Sequence, residues 1–233
     1  AASDVYKRQE YDNIYPVWDW TRIPGTTAIG NQDKTSLEGY QIGNNEFGGG
    51  VSDGVNGIIA YKGKYNELQA NKAYFFFDNM MFCIGSDISY VQNDNVLTSV
   101  EQNLLNGEVI YNDGQEKQLS SNSNMQLKQL KWVYHNNTGY IFRGTDNVTI
   151  QNMSQAGSWK DINATGESGL IDKNVFSVWI NHGLNPENAS YQYIVVPDKS
   201  INAFRDLAEQ IDLYIAQNDG SVQAIRELSL IHI

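Results

Sequence analysis

Residues 11–27 read YDNIYPVWDWTRIPGTT. Two tryptophans, Trp18 and Trp20, flank Asp19. In a strand, residues two apart share a face. The spacing therefore predicts Trp18 and Trp20 side by side, with Asp19 pointing the other way. Pro16 stands ahead of them, and Pro24-Gly25 closes the run with a strong turn signal. Two readings are open. One is a core strand with a large aromatic payload. The other is a platform on which a sugar ring stacks.

Downstream, residues 28–46 are polar and carry Gly30, Gly39 and Gly43, which predicts a long surface loop with Tyr40 as its only aromatic. Gly48-Gly49-Gly50 then precede Ser52-Asp53-Gly54. No Lys-Ser/Thr follows, so this is not a phosphate loop. A β-bulge or tight turn is predicted, with Asp53 capping the turn through its side chain. Strands are predicted at 55–62 and 72–85, with Asp78-Asn79 turning the chain inside the second stretch. Phe75, Phe76 and Phe77 in succession break alternation, which implies a strand buried on both faces. Cys83 reads as a small buried hydrophobe. Strand-like runs recur at 96–101, 107–111, 130–135, 139–142, 147–152, 175–181 and 190–196, separated by turn signals such as Asn106-Gly107 and Asp113-Gly114. Many short strands at this spacing predict an all-β sandwich. One helix is expected: Ile201, Phe204, Leu207, Ala208 and Ile211 share a helical face, and Ser200 is a plausible N-cap.

The composition agrees. Aromatics make up 12 % of 233 residues, with 14 Tyr and 20 Gly, which favours β-structure. A chain of this length buries roughly 70 % of its unfolded surface, so it holds a proper core. The net charge of −11 repels polyanions, which argues against nucleic acid, or a sulfated glycan bound by this chain alone, as a partner. No run of about 18 apolar residues is present, so no membrane helix is expected. The lone Cys83 excludes an internal disulfide and a Cys-built metal site. His135, His182 and His232 lack metal-ligand spacing. The ends, residues 1–9 and 228–233, read as foreign tails on an internal piece of a longer protein.

The run from Asn13 to Thr27 resembles the signature that opens the central β-domain of family 8 polysaccharide lyases, which include chondroitin AC, hyaluronate and xanthan lyases. FGGGVSDGVNG (47–57), LQANKAYFFFDNMMFCIG (68–85) and VFSVWINHGLNPENASYQYIVVP (175–197) agree with that family in order and spacing. The resemblance implies an all-β fold, a large antiparallel β-sandwich of the galactose-mutarotase-like supersandwich type with one C-terminal linker helix. The implied division is a central sandwich over 10–199, a helical linker over 200–217, and over 218–227 the start of a C-terminal β-domain cut short.

The same resemblance implies an activity. The family cleaves uronic-acid polysaccharides by β-elimination, using Asn, His, Tyr and Arg from an N-terminal helical toroid and a Glu and Asn just upstream of the tryptophan motif. None of those segments lies in this chain, so no catalytic residue is assigned. His182 with Tyr191 or Tyr193 is a tempting pair, but a structural histidine at a strand end is the preferred reading. Tyr40 falls where relatives place an aromatic near the cleft. It is the expected substrate-binding residue, with an ordinary exposed tyrosine as the competing reading. Chondroitin AC-type relatives can hold calcium beside this motif. Asp19 matches the first ligand position, Thr21 replaces the second carboxylate, and Gly30-Asn31 fall near the third. Calcium prefers 6–8 oxygens with several carboxylates, so no cofactor or metal ligand is expected. The expected partner is an anionic polysaccharide reached through a domain outside this chain, in a secreted or periplasmic monomer. The competing function is a non-catalytic carbohydrate-binding or structural β-sandwich module.

Overall fold

The computed structural model describes residues 13–30, 44–77, 79–211 and 213–227. Its strands form three antiparallel sheets. The first has five strands in the order β1 (Thr27–Ile29), β6 (Asn95–Leu104), β13 (Ile171–Leu184), β12 (Val148–Gly157) and β9 (Ser123–Leu127). The second has nine: β2 (Asn44–Ser52), β3 (Gly57–Tyr65), β4 (Leu68–Phe77), β5 (Met80–Ser89), β14 (Ala189–Val196), β11 (Thr138–Phe142), β10 (Trp132–His135), β7 (Val109–Asn112) and β8 (Glu116–Gln118). The third is the hairpin of β15 (Leu213–Asn218) and β16 (Gln223–Glu227). The expected antiparallel sandwich is thus present.

Alternation decides what each face does. In the five-stranded sheet Val148, Ile150, Val178 and Ile180 point inward and are at most 1 % exposed. They meet Cys83, Tyr140, Phe142, Tyr191 and Tyr193 of the larger sheet in the main core. The other face of the nine-stranded sheet has its own core, in which Phe75, Phe82, Ile84, Trp132 and Ile194 pack under α2 (Ile201–Gln210) and the β15–β16 hairpin. The centre of this sheet is therefore covered on both faces, as continuous apolar runs require. The triple phenylalanine follows this only in part. Phe75 is buried, but Phe76, one residue further toward the end of β4, is exposed.

Helix α2 begins as read from the sequence. Ser200 Oγ accepts from the Ala203 N–H, and Phe204, fully buried, packs against Trp132 and Tyr134 at 5.4 Å between ring centroids. The helix stops at Gln210, short of the expected 200–217 linker, because Ile211 turns extended and its carbonyl accepts from Arg143 at 2.8 Å. The chain then enters β15, so the strand expected near Val222 pairs within a hairpin. A single-turn helix, α1 (Trp159–Ile162), has no counterpart in the sequence reading. It is set by a Ser158–Asp161 capping box.

Two loop expectations change. Residues 27–29 pair with β6, since β-branched Ile29 enters the main core, and residues 44–46 already belong to β2. Residues 31–43, which include Tyr40 and Asn31, lie outside the described residues. The three glycines sit inside β2, and the bulge falls earlier, between Asn45 and Phe47. Close backbone approach does explain Gly50, where a Cβ would come within 2.8 Å of the Ile58 carbonyl. Asp53 caps its turn as expected, accepting from the N–H groups of Val55 and Asn56 at 2.8 and 2.7 Å. Asparagine supplies most of the other sharp turns: nine of the twelve described non-glycine residues with positive φ are Asn.

Candidate functional site

The tryptophan motif is not a strand. Tyr15–Val17 and Trp20–Arg22 are 3-10 turns. Pro16 cannot donate to a ladder, and Asp19 diverts the next donor by accepting from the Thr21 N–H at 3.1 Å and the Thr21 hydroxyl at 2.6 Å. Trp18 and Trp20 still meet, but edge to face at 5.4 Å, with Tyr15 5.5 and 6.0 Å from the two rings. Trp159 joins them 6.4 Å from Tyr15. Ile14, Val17 and Val175 form the small core beneath, with Trp18 against it. The packing reading of this stretch is the one its contacts support.

One buried side chain clamps the motif to the five-stranded sheet. Gln102 of β6, 1 % exposed, accepts from the Asp19 N–H at 2.8 Å. It donates to the carbonyls of Asp19 and Arg22, each at 3.1 Å. Its own backbone carbonyl accepts from the Trp18 indole at 3.1 Å. Gly157 lets the motif lie close: a Cβ there would sit 1.9 Å from the Pro16 carbonyl.

Asp19 is 3 % exposed and faces Arg22, whose Nε is 3.4 Å from its carboxylate. The Arg22 guanidinium lies 3.9 Å over the Trp179 ring. Burial pushes the Arg22 pKa down from its ordinary value, and Asp19 opposes that. The only carboxylate of the three calcium positions is thus already engaged by Thr21 and Arg22. The donor set of the described residues does not fit a calcium ion, which needs several carboxylate oxygens. No group of three or more His, Cys, Asp or Glu able to hold a metal occurs among the described residues.

Both described histidines are weak bases, His135 buried and His182 partly exposed near the end of β13. His182 Nε2 lies 2.7 Å from the Thr98 hydroxyl, and burial, helped by the charge of Lys72, holds its pKa at about 4. His135 Nε2 accepts from the Asn106 N–H at 2.9 Å, and burial lowers its pKa to about 4. Tyr191, 2 % exposed, packs 6.0 Å from His182 in the core. His232 lies outside the described residues.

The least expected residue is Lys72, 1 % exposed between the sheets. Its ammonium donates to the Gly25 carbonyl at 2.6 Å, and the Tyr74 hydroxyl donates to the same oxygen at 3.2 Å. Gly25 has φ +81°, the turn geometry that Pro24-Gly25 foretold. Lys72 and Tyr74 together hold that turn against β4. A strand lysine read alone is a surface residue. The one available signal was its alternation with Tyr74, both on the inward face.

Beside Arg22 the outer face of the five-stranded sheet opens into a cleft of about 340 Å³, lined among others by Asn95, Asn124, Gln126, Trp179 and Asn181.

With this geometry in place, residues 3–208 match the family described as polysaccharide lyase family 8, super-sandwich domain. A chondroitinase-AC of Pedobacter heparinus is 41 % identical over 201 residues, covering 84 % of this chain and 28 % of the relative. A xanthan lyase of a Bacillus species is 29 % identical over 234 residues, covering 95 % and 25 %. Among solved structures, a chondroitinase AC lyase superposes with a TM-score of 0.83 at 37 % identity, covering 94 % of this chain and 33 % of that one. A Paenibacillus xanthan lyase gives a TM-score of 0.83 at 26 % identity, covering 95 % and 22 %. The chain thus spans about a quarter to a third of the length of these relatives.

Proposed function

Because the chain belongs to polysaccharide lyase family 8 and carries its super-sandwich domain, we propose that it is the supporting central domain of an enzyme that cleaves a uronic-acid-containing glycosaminoglycan by β-elimination. The observation that carries this reading is 41 % identity to a chondroitinase-AC across 84 % of the chain. The reaction removes a weakly acidic proton beside a carboxylate carbon. It needs a base within about 3 Å of that proton, donors that neutralise the carboxylate, and exclusion of water. His135 is buried and His182 partly so, and with pKa values of about 4 both are weak bases, poorly matched to so weakly acidic a proton. The elimination chemistry is therefore assigned to residues outside this chain.

Within the chain, the proposed substrate contact is Tyr40, stacking its ring on a pyranose face from the segment that follows the tryptophan motif. The whole protein is proposed to be a secreted or periplasmic monomer, since its polymeric substrate is extracellular.

The test is direct. The purified 233-residue chain is mixed with chondroitin sulfate, hyaluronan or xanthan, and unsaturated-uronate absorbance is followed. No turnover is expected from this chain, and turnover is expected from the longer gene product. Turnover by the chain alone would overturn the assignment of the chemistry to residues outside it.

A further inference from the structure

The cleft on the outer face of the five-stranded sheet is built by register. Gln126 of β9 pairs with Thr149 of β12, which pairs with Trp179 of β13, so all three lie in one transverse row. Asn124 and Asn181 lie two residues along from Gln126 and Trp179, on the same face. Asn95 of β6 closes the other side. This face is opposite the one carrying Val148, Ile150, Val178 and Ile180 into the core.

Two features single out the cleft. Four side-chain amides line it, and an amide offers both donors and acceptors to sugar hydroxyls; of these, Asn181 Oδ1 also accepts from the Gly183 N–H at 2.9 Å. The chain's net charge of −11 repels a polyanion over most of its surface, but Arg22, a cation, is the one charged residue among the cleft's described lining. The guanidinium is fixed between the Trp179 ring and Asp19. A positioned guanidinium beside amides is suited to a carboxylate on a hydroxyl-rich ligand. Asn124 and Gln126 are exposed.

We propose that this cleft, formed by Arg22, Asn95, Asn124, Gln126, Trp179 and Asn181, binds an acidic oligosaccharide on the sandwich itself. The site needs none of the elimination machinery. It rests on the family's carbohydrate chemistry and is independent of Tyr40.

The experiment titrates the isotope-labelled 233-residue chain with a chondroitin hexasaccharide and with neutral maltohexaose, following side-chain amide and indole N–H resonances. The chondroitin hexasaccharide is expected to shift the signals of Asn124, Gln126, Asn181 and Trp179, and maltohexaose to bind at least tenfold more weakly. Combined Asn124→Ala and Gln126→Ala replacement is expected to weaken binding tenfold or more with an unchanged melting temperature. Absence of shifts at millimolar saccharide, equal affinity for maltohexaose, or binding that survives the double replacement would each overturn the proposal. Loss of binding only on Tyr40→Ala would also overturn it, while supporting the role proposed for Tyr40. Failure to bind alongside turnover by the longer protein removes this inference alone. Binding without turnover by the longer protein removes the lyase reading alone.

Discussion

Replacing Lys72 with methionine tests the buried cation through the pH dependence of folding. Burial lowers the Lys72 pKa from 10.5 to about 7, with Cys83 acting in the opposite sense. Unfolding returns the amine to water and to its ordinary value. Between pH 7 and pH 10.5 the unfolded chain therefore holds a proton that the folded chain has released. Raising the pH opposes that uptake, so this group makes stability rise with pH. Each unit corresponds to about 1.4 kcal/mol. At pH 7 half of the folded chains already carry neutral Lys72. The expected gain from pH 7 to pH 9 is then about 2.3 kcal/mol rather than the full 2.7 or so. Methionine fills a similar volume and cannot titrate, so Lys72→Met removes this slope and leaves the Tyr74 bond to Gly25 in place. Cys83 works in the opposite direction, because burial raises its thiol to about 12 and unfolding lets it ionise earlier. That contribution is common to both proteins and cancels in their difference. The assay is denaturant unfolding of both proteins at pH 7, 8 and 9, followed by tryptophan fluorescence. The stability of the parent relative to the variant should climb by about 2.3 kcal/mol across the range. Parallel profiles would refute the buried, deprotonating lysine.

Three further outcomes are expected. Phe204→Ala removes the anchor of α2, a fully buried ring against Trp132 and Tyr134, and should cost about 3–5 kcal/mol by denaturant unfolding; an unchanged midpoint would mean the helix does not dock as described. Gln102→Leu should cost about 2–4 kcal/mol and change the indole N–H signal of Trp18, because it strands the Asp19 N–H and two carbonyls in a buried site; an unaltered Trp18 signal would reject the clamp. In the full-length lyase proposed above, Tyr40→Ala should weaken substrate binding or turnover at an unchanged melting temperature; a lowered melting temperature with unchanged kinetics would leave Tyr40 as ordinary packing.

Local rules read from the sequence determined much of this protein. Runs of apolar and β-branched residues bounded by turn residues placed β6, β12, β13 and β14, because such side chains pack well on a pleated, buried surface. Asn-Gly and Asp-Gly pairs fixed turns such as those at Gly107 and Gly114, whose positive φ few other residues adopt. The α2 face and its Ser200 cap were legible because both depend on neighbours within one helical turn. The short polar strands β8 and β9 were not legible, since their side chains are mostly exposed and their pairing comes from partners elsewhere in the chain. Tertiary structure also decided the path of the tryptophan motif. Residues two apart predict a shared face only if the backbone stays extended, and Pro16, Asp19 and the distant Gln102 bend it instead. The same holds for Lys72, a residue whose type says surface and whose place under Gly25 says core. The cleft beside Arg22 is assembled from residues as far apart as 22 and 181, and no local pattern could announce it. Only the register of four neighbouring strands brings its amides onto one face.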